Sequence, residues 1–189
     1  GEYWHYRLNF REVDMFTDAY KEMQAMRQVS ADQRKSVETL TDILRALCMQ
    51  LEKRLMKHKV KGHAFSYRFV YGVDFHHEDK FRTNIPLQDG IQLFKTIQER
   101  VKNTEEQIEG IKILNTNITS MGVHVTEFQD ADFVQLAMWD NQFKEDNLRK
   151  VVYDLKHKFG YEKVKHASEL TKTPIYKDVI GFGSIKDLL

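Results

Sequence analysis

Apolar positions along the chain follow two rhythms, one of two residues and one of three or four, and the rhythm changes at short polar breaks. The stretch "MQAMRQVSA" (23–31) alternates loosely, as a short strand does. From Ser36, an N-cap candidate, Leu40, Ile43, Leu44, Leu47, Leu51, Leu55 and Met56 recur at helical spacing, and the pattern stops at Gly62. In "HAFSYRFVY" the period returns to two, with Phe65, Tyr67, Phe69 and Tyr71 on one side and Ser66, Arg68 and Val70 on the other. Gly72 marks a turn, and "DFHHEDKFRTNI" predicts a second strand hairpin-paired with the first.

Pro86 suits the first turn of a second helix, for which Leu87, Ile91, Phe94, Ile97 and Val101 form the buried stripe. "IKILNTNITSM" (111–121), with Ile111, Ile113, Thr116 and Ile118 in extended spacing, reads as a final strand. The order βαββαβ predicts an α+β fold: one four-stranded antiparallel sheet with both helices on one face and the other face open. After Met121 the chain turns acidic and irregular through "GVHVTEFQDADF". A third amphipathic helix is expected from about Asp146, burying Leu148, Val151, Val152 and Leu155 and stopping at Gly160, as part of a helical C-terminal extension.

Composition narrows the function little. With 41% hydrophobic residues over 189 positions a core is affordable, and a net charge of +1 gives no global attraction to nucleic acid or membrane, so any polyanion contact must come from a local patch. Cys48, the single cysteine, excludes an internal disulfide framework or a multi-cysteine zinc site; it fits a reducing compartment, and a cytoplasmic protein is expected. No apolar run approaches the ~20 residues of a membrane span. The chain starts in mid-pattern with Gly rather than Met, as a piece of a longer protein would.

The open face predicted by this patterning carries Arg27, Ser66, Arg68, Lys80, Arg82, Thr83, Lys112 and Asn117, side chains able to hydrogen-bond phosphate oxygens; Glu78 and Asp79 beside Lys80 weaken the basic character. A solvated, idle face is the plain alternative. "KGHAFSYR" (61–68) also resembles the strand motif of RNA-recognition modules, but His63 stands where an aromatic should stack and Arg68 replaces the last aromatic. His76 and His77, adjacent on a strand, point to opposite faces and make a poor metal site, and "GFGS" (181–184) is a turn sooner than a phosphate loop.

Taken in order, "MRQVSADQR", the long helix, "AFSYRFVYGVDFHHEDKFRTNIP" and "IKILNTNITSM" resemble the little-finger domain of Y-family translesion DNA polymerases, the group of bacterial polymerase IV and the UmuC proteins. The family's corresponding stretches run roughly K-S-I-x-R-x-x-T, a long helix, T-V-x-L-K-x-R-Y-x-D-F…T-R-S-x-T and I-R-L-L-G-V-x-V-S-x-L. Here Asn115 replaces the usual Gly, and Ala31 and Asp32 stand where Arg is common. The resemblance implies a domain layout of 1–23 as the end of the thumb and linker, 24–121 as the DNA-binding little finger, 122–144 as a linker, and 145–189 as a C-terminal helix and tail. It implies a sheet laid on primer–template duplex, touching sugar–phosphate through Arg27, Ser30, Arg68, Lys80, Arg82, Thr83 and Lys112.

If about four phosphates are neutralised, the log–log salt slope is expected at about −3 to −4. In the linker, "QLAMW" resembles the family's sliding-clamp peptide, with Gln135, Leu136, Met138 and Trp139 matching in kind. The family's acidic palm motifs have no counterpart here, so polymerase catalysis and its Mg²⁺ are expected in the parent protein, together with palm, finger and thumb domains, and no catalytic residue, metal or cofactor in this fragment. A stand-alone RNA or single-stranded DNA binder and a protein–protein adaptor remain the alternative readings.

Overall fold

The computed structural model describes residues 22–131, except Asp74 and Glu109, and residues 141–160 with 163–164. Its strands are β1 (Met23–Gln28), β2 (Val60–Tyr71), β3 (Phe75–Leu87) and β4 (Ser120–Asp130); its α-helices are α1 (Val37–Lys57), α2 (Gly90–Gln107) and α3 (Asn141–Phe159). The strands form one antiparallel sheet in the order β1-β4-β2-β3, so the expected α+β architecture holds. β4 and β2 pair at the centre, while β1 and β3 are the edges.

The alternation in β2 decides which face is which. Phe65, Tyr67 and Phe69 are buried with Met23 and Ala25 of β1 and Met121, Val123 and Val125 of β4. On this layer lie Leu40, Ile43, Leu44, Leu47, Leu51 and Leu55 of α1, and Leu93, Phe94, Ile97 and Val101 of α2. Burying a side chain of this size stabilises by ~1.5–3 kcal/mol, so the layer supplies the bulk of the driving force. Cys48 is fully buried within it, and that burial pushes its thiol well above the usual range, which makes it an unreactive packing residue.

Ser36 caps α1 as predicted, its hydroxyl accepting from the Glu38 N–H at 3.2 Å. The start of α2 differs from the expectation. Pro86 lies within β3, and the N-cap is Asp89, whose Oδ1 accepts from the N–H groups of Ile91 and Gln92 at 2.7 and 3.0 Å. Between the pairs Ala64↔Arg82 and Gly62↔Leu87 the edge strand β3 carries extra residues, and a proline with no N–H to donate is tolerated in such a bulge. Consequently Leu87 is buried from the strand, not from the helix, and Ile91 is only half-buried. Gly90 brings the helices together: a Cβ there would stand 2.7 Å from the Cys48 carbonyl oxygen.

The fourth strand is also displaced. Residues 111–119 are irregular because side chains claim their backbone groups: Glu105 Oε1 accepts from the N–H groups of Ile113 and Leu114, and Asn115 Oδ1 accepts from that of Asn117. Asn offers the backbone such local turns in place of a ladder. Ile113 and Ile118 are nevertheless buried, capping one end of the core. The strand itself is Ser120–Asp130, most of it in the segment after Met121 that was read as irregular, so the sheet runs past the boundary drawn at 121.

The third helix spans Asn141–Phe159, and Gly160 ends it with φ 95° and an N–H donated to the Lys156 carbonyl. Its stripe is not buried as expected: Leu148 is 65% exposed, Val151 55% and Leu155 40%, with Val152 half-buried. An amphipathic period predicts that one face is apolar, but says nothing about whether something covers it.

Candidate nucleic-acid interface

Cross-strand partners share a face, so the register assigns every side chain of the open side. Ala64, Ser66, Arg68 and Val70 of β2 stand beside Arg82, Lys80, Glu78 and His76 of β3, and beside Thr126, His124, Gly122 and Ser120 of β4. Gln24, Met26 and Gln28 of β1 complete it. Three of the predicted residues therefore converge: Arg68, Lys80 and Arg82 are side by side, with side chains 43%, 77% and 68% exposed.

The other four do not join them. Arg27 pairs with the fully buried Met121, which puts it on the helix side of β1. Ser30 lies in the turn after β1, where its N–H donates to Gln33 Oε1. The Thr83 hydroxyl is spent within the β3 bulge on the His63 carbonyl at 3.2 Å, and the His63 ring lies within 3.0 Å of Gln129 Oε1. Lys112 sits in the irregular 111–119 segment, paired with Glu105 at 3.3 Å, and Asn117 lies in that segment too, off the sheet. Gln135, Leu136, Met138 and Trp139 fall outside the described residues.

Each of the three converging cations meets a carboxylate. Glu78 takes Lys80 at 3.1 Å and Arg68 at 3.9 Å, while Glu127 takes Arg82 at 3.0 Å. The hydrogen bond from Lys80 holds the Glu78 carboxyl below its usual range against a small opposing effect of burial, and Arg68 adds to the pull. Arg82 and Glu127 belong to strands on either side of β2, and Ala64, which lies between Arg82 and Thr126 in the register, adds only a methyl there. In the middle of the face, burial lowers the His124 pKa, with Glu22 and Glu78 pulling the other way. Gly122 keeps the floor low: a Cβ there would come within 2.9 Å of Met26 Cγ.

Sequence reasoning left His124 out of the face because the strand carrying Gly122 and His124 had not been recognised, although the alternation Met121, Val123, Val125 was an available signal; Gln24 and Met26 lie on a strand that was recognised, but its open face had been given to Arg27.

The aromatic positions separate this face from that of an RNA-recognition module. Phe65 is 3% exposed and stacks on Phe81 at 5.8 Å beneath the helices, so neither Phe65 nor its neighbours Tyr67 and Phe69 can stack on a base. His76 and His77 point to opposite faces, and no group of three metal-ligating side chains comes together among the described residues. No helix among them is long and apolar enough to cross a membrane.

A long first helix, a cationic second strand and a hairpin returning lysine and arginine to one open face agree with the family match: residues 20–138 fit the model of the impB/mucB/samB family C-terminal domain. The chain belongs to that family. The matched region is the little-finger region of Y-family polymerases such as UmuC. No curated protein matches the chain. The match runs through β4 and beyond it, in keeping with a sheet whose last strand ends at Asp130 and not at 121.

Proposed function

We propose that the chain is the DNA-gripping, noncatalytic part of a translesion DNA polymerase, its open sheet face resting on the sugar–phosphate rails of primer–template duplex. The observation that carries this reading is the convergence of Arg68, Lys80 and Arg82 on one exposed face where the register places no Phe, Tyr or Trp beside them. Contacts of this kind hold a duplex without reading its sequence, as a polymerase that must accept damaged templates requires. Three phosphate contacts in place of four put the salt slope at no steeper than about −3. Nucleotidyl transfer and its Mg²⁺ belong to the palm of the parent protein in this reading.

The test is a titration of fluorescein-labelled duplexes of two unrelated sequences with the chain and its Lys80→Ala, Arg82→Ala double variant. The expected result is roughly tenfold weaker binding to both duplexes at moderate salt. Unchanged affinity would overturn the reading. Tighter binding to single strands than to duplex would instead favour the single-strand binder.

The second element of the proposal is a tether. Gln135, Leu136, Met138 and Trp139 form a peptide that docks in the apolar cleft of a sliding clamp, three apolar side chains contributing ~5 kcal/mol gross before ordering costs and the Gln amide setting the register. Retention of the chain by an immobilised bacterial clamp is expected to fall sharply for the Leu136→Ala, Trp139→Ala variant. Equal retention removes the tether.

A further inference from the structure

Resting on the duplex reading, we infer that Glu78 and Glu127 are affinity-limiting residues of the open face, carboxylates that occupy the phosphate-binding cations and must be displaced when DNA arrives. The geometry is direct. Lys80 and Arg68 share Glu78 at 3.1 and 3.9 Å, and Arg82 holds Glu127 at 3.0 Å. A carboxylate this close to a cation cancels most of its field at the distance from which a phosphate approaches, and at Lys80 and Arg82 it also occupies donors that a phosphate oxygen would take, whereas Arg68 is engaged by charge and not by a hydrogen bond. Exposed pairs of this kind contribute little to stability, so a phosphate can exchange for either carboxylate readily.

Two details argue against plain fold stabilisation. Glu127 holds φ 55°, left-handed backbone that is unfavourable for a residue with a Cβ, and it does so at an exposed position that adds nothing to the core. Glu78 lies next to Asp79, which faces the other way and makes the ion pair that the fold uses, with Arg100. Glu78 and Glu127 thus touch the three cations on the open face and leave the helix layer alone. Their effect is to keep binding weak and quickly reversible, so that the face holds duplex while the parent protein is engaged elsewhere and lets go readily.

The experiment compares the full chain with its Glu78→Gln, Glu127→Gln and doubly substituted variants in duplex titrations over a range of potassium chloride. Glu106→Gln, which removes the same charge from the Lys102 pair on α2, corrects for net charge. Each open-face variant is expected to bind roughly threefold tighter than Glu106→Gln and the double variant about tenfold tighter, with a salt slope approaching about −3 where the unmodified chain shows a shallower one.

Glu127→Gly, which removes the carboxylate and relieves the backbone together, is expected to bind as tightly as Glu127→Gln and to melt no earlier than the unmodified chain. If the unmodified chain binds duplex and the open-face variants bind no tighter than Glu106→Gln, the inference falls and the duplex reading stands. If none of them binds duplex, both fall.

Discussion

Glu78 and Asp79 are neighbours in the chain and opposites in the molecule. Asp79 turns under the helices, where Arg100 of α2 donates to both of its oxygens at 2.6 and 3.1 Å, while the Arg100 guanidinium also lies over the Phe81 ring at 4.9 Å. Glu78 turns outward and meets Lys80 and Arg68. One fixed, bidentate pair fastens a helix to an edge strand; the other is a loose arrangement of side chains that a phosphate can rearrange. The comparison teaches that a carboxylate's role in this sheet follows from the face it occupies, and the face follows from the parity of its position in the strand.

The largest way to break the covered side is to remove its bulk. Phe69→Ala is expected to destabilise by about 3–5 kcal/mol in urea denaturation, since Phe69 is fully buried between sheet and helices.

Asp79→Asn comes next. Its side chain is 23% exposed and that of Arg100 40%, so solvent screens part of the interaction and a loss of about 1–2 kcal/mol is expected. Burial alone would raise the Asp79 pKa, but the Arg100 hydrogen bonds and charge outweigh it and hold the carboxyl below its ordinary 3.8. A carboxyl depressed on folding contributes its stability above the ordinary value and loses it as pH falls through the lower folded value. The gap between the unmodified chain and Asp79→Asn is therefore expected to be full near pH 7 and to close below about pH 4, as measured by melting at each pH.

On the open side the same chemistry should leave the fold alone. Lys80→Ala with Arg82→Ala is expected to change stability by less than about 0.5 kcal/mol per site while weakening duplex binding. A melting shift as large as that of Asp79→Asn would erase the distinction between the faces. The smallest effect is expected from Lys112→Ala, which removes a cation paired with Glu105 away from the sheet. Less than a twofold change in duplex affinity is expected, and a drop matching that of Lys80 would mean that the bound surface extends beyond the open face.

Much of the face could be read in advance. In β2 and β3 the period of two is unbroken from Phe65 to Tyr71 and from His76 to Arg82, so the co-facial placement of Arg68, Lys80 and Arg82 needed only the hairpin pairing. The same parity separates Asp79 from the basic patch and leaves Glu78 within it, although the two residues look alike in a linear charge count. Arg27 and Lys112 were misplaced for different reasons. Arg27 ends a short strand whose loose alternation did not fix its faces, and Lys112 lies where Ile111, Ile113 and Ile118 imitate a strand while Glu105 and Asn115 take its backbone donors. The meeting of Arg82 with Glu127 had no signature at all, because it requires β3 and β4 to lie on either side of β2.

Local pattern determined which residues form α1, β2 and β3 and which of their side chains enter the core, because helix and strand periods are set by backbone geometry within a few residues. Tertiary structure alone decided that 120–130 is a central strand, that Asp89 and not Pro86 opens α2, and that the cations of the open face have carboxylate partners. Those outcomes depend on atoms brought together from distant positions, where long-range pairing and side-chain reach, not local periodicity, set the energy.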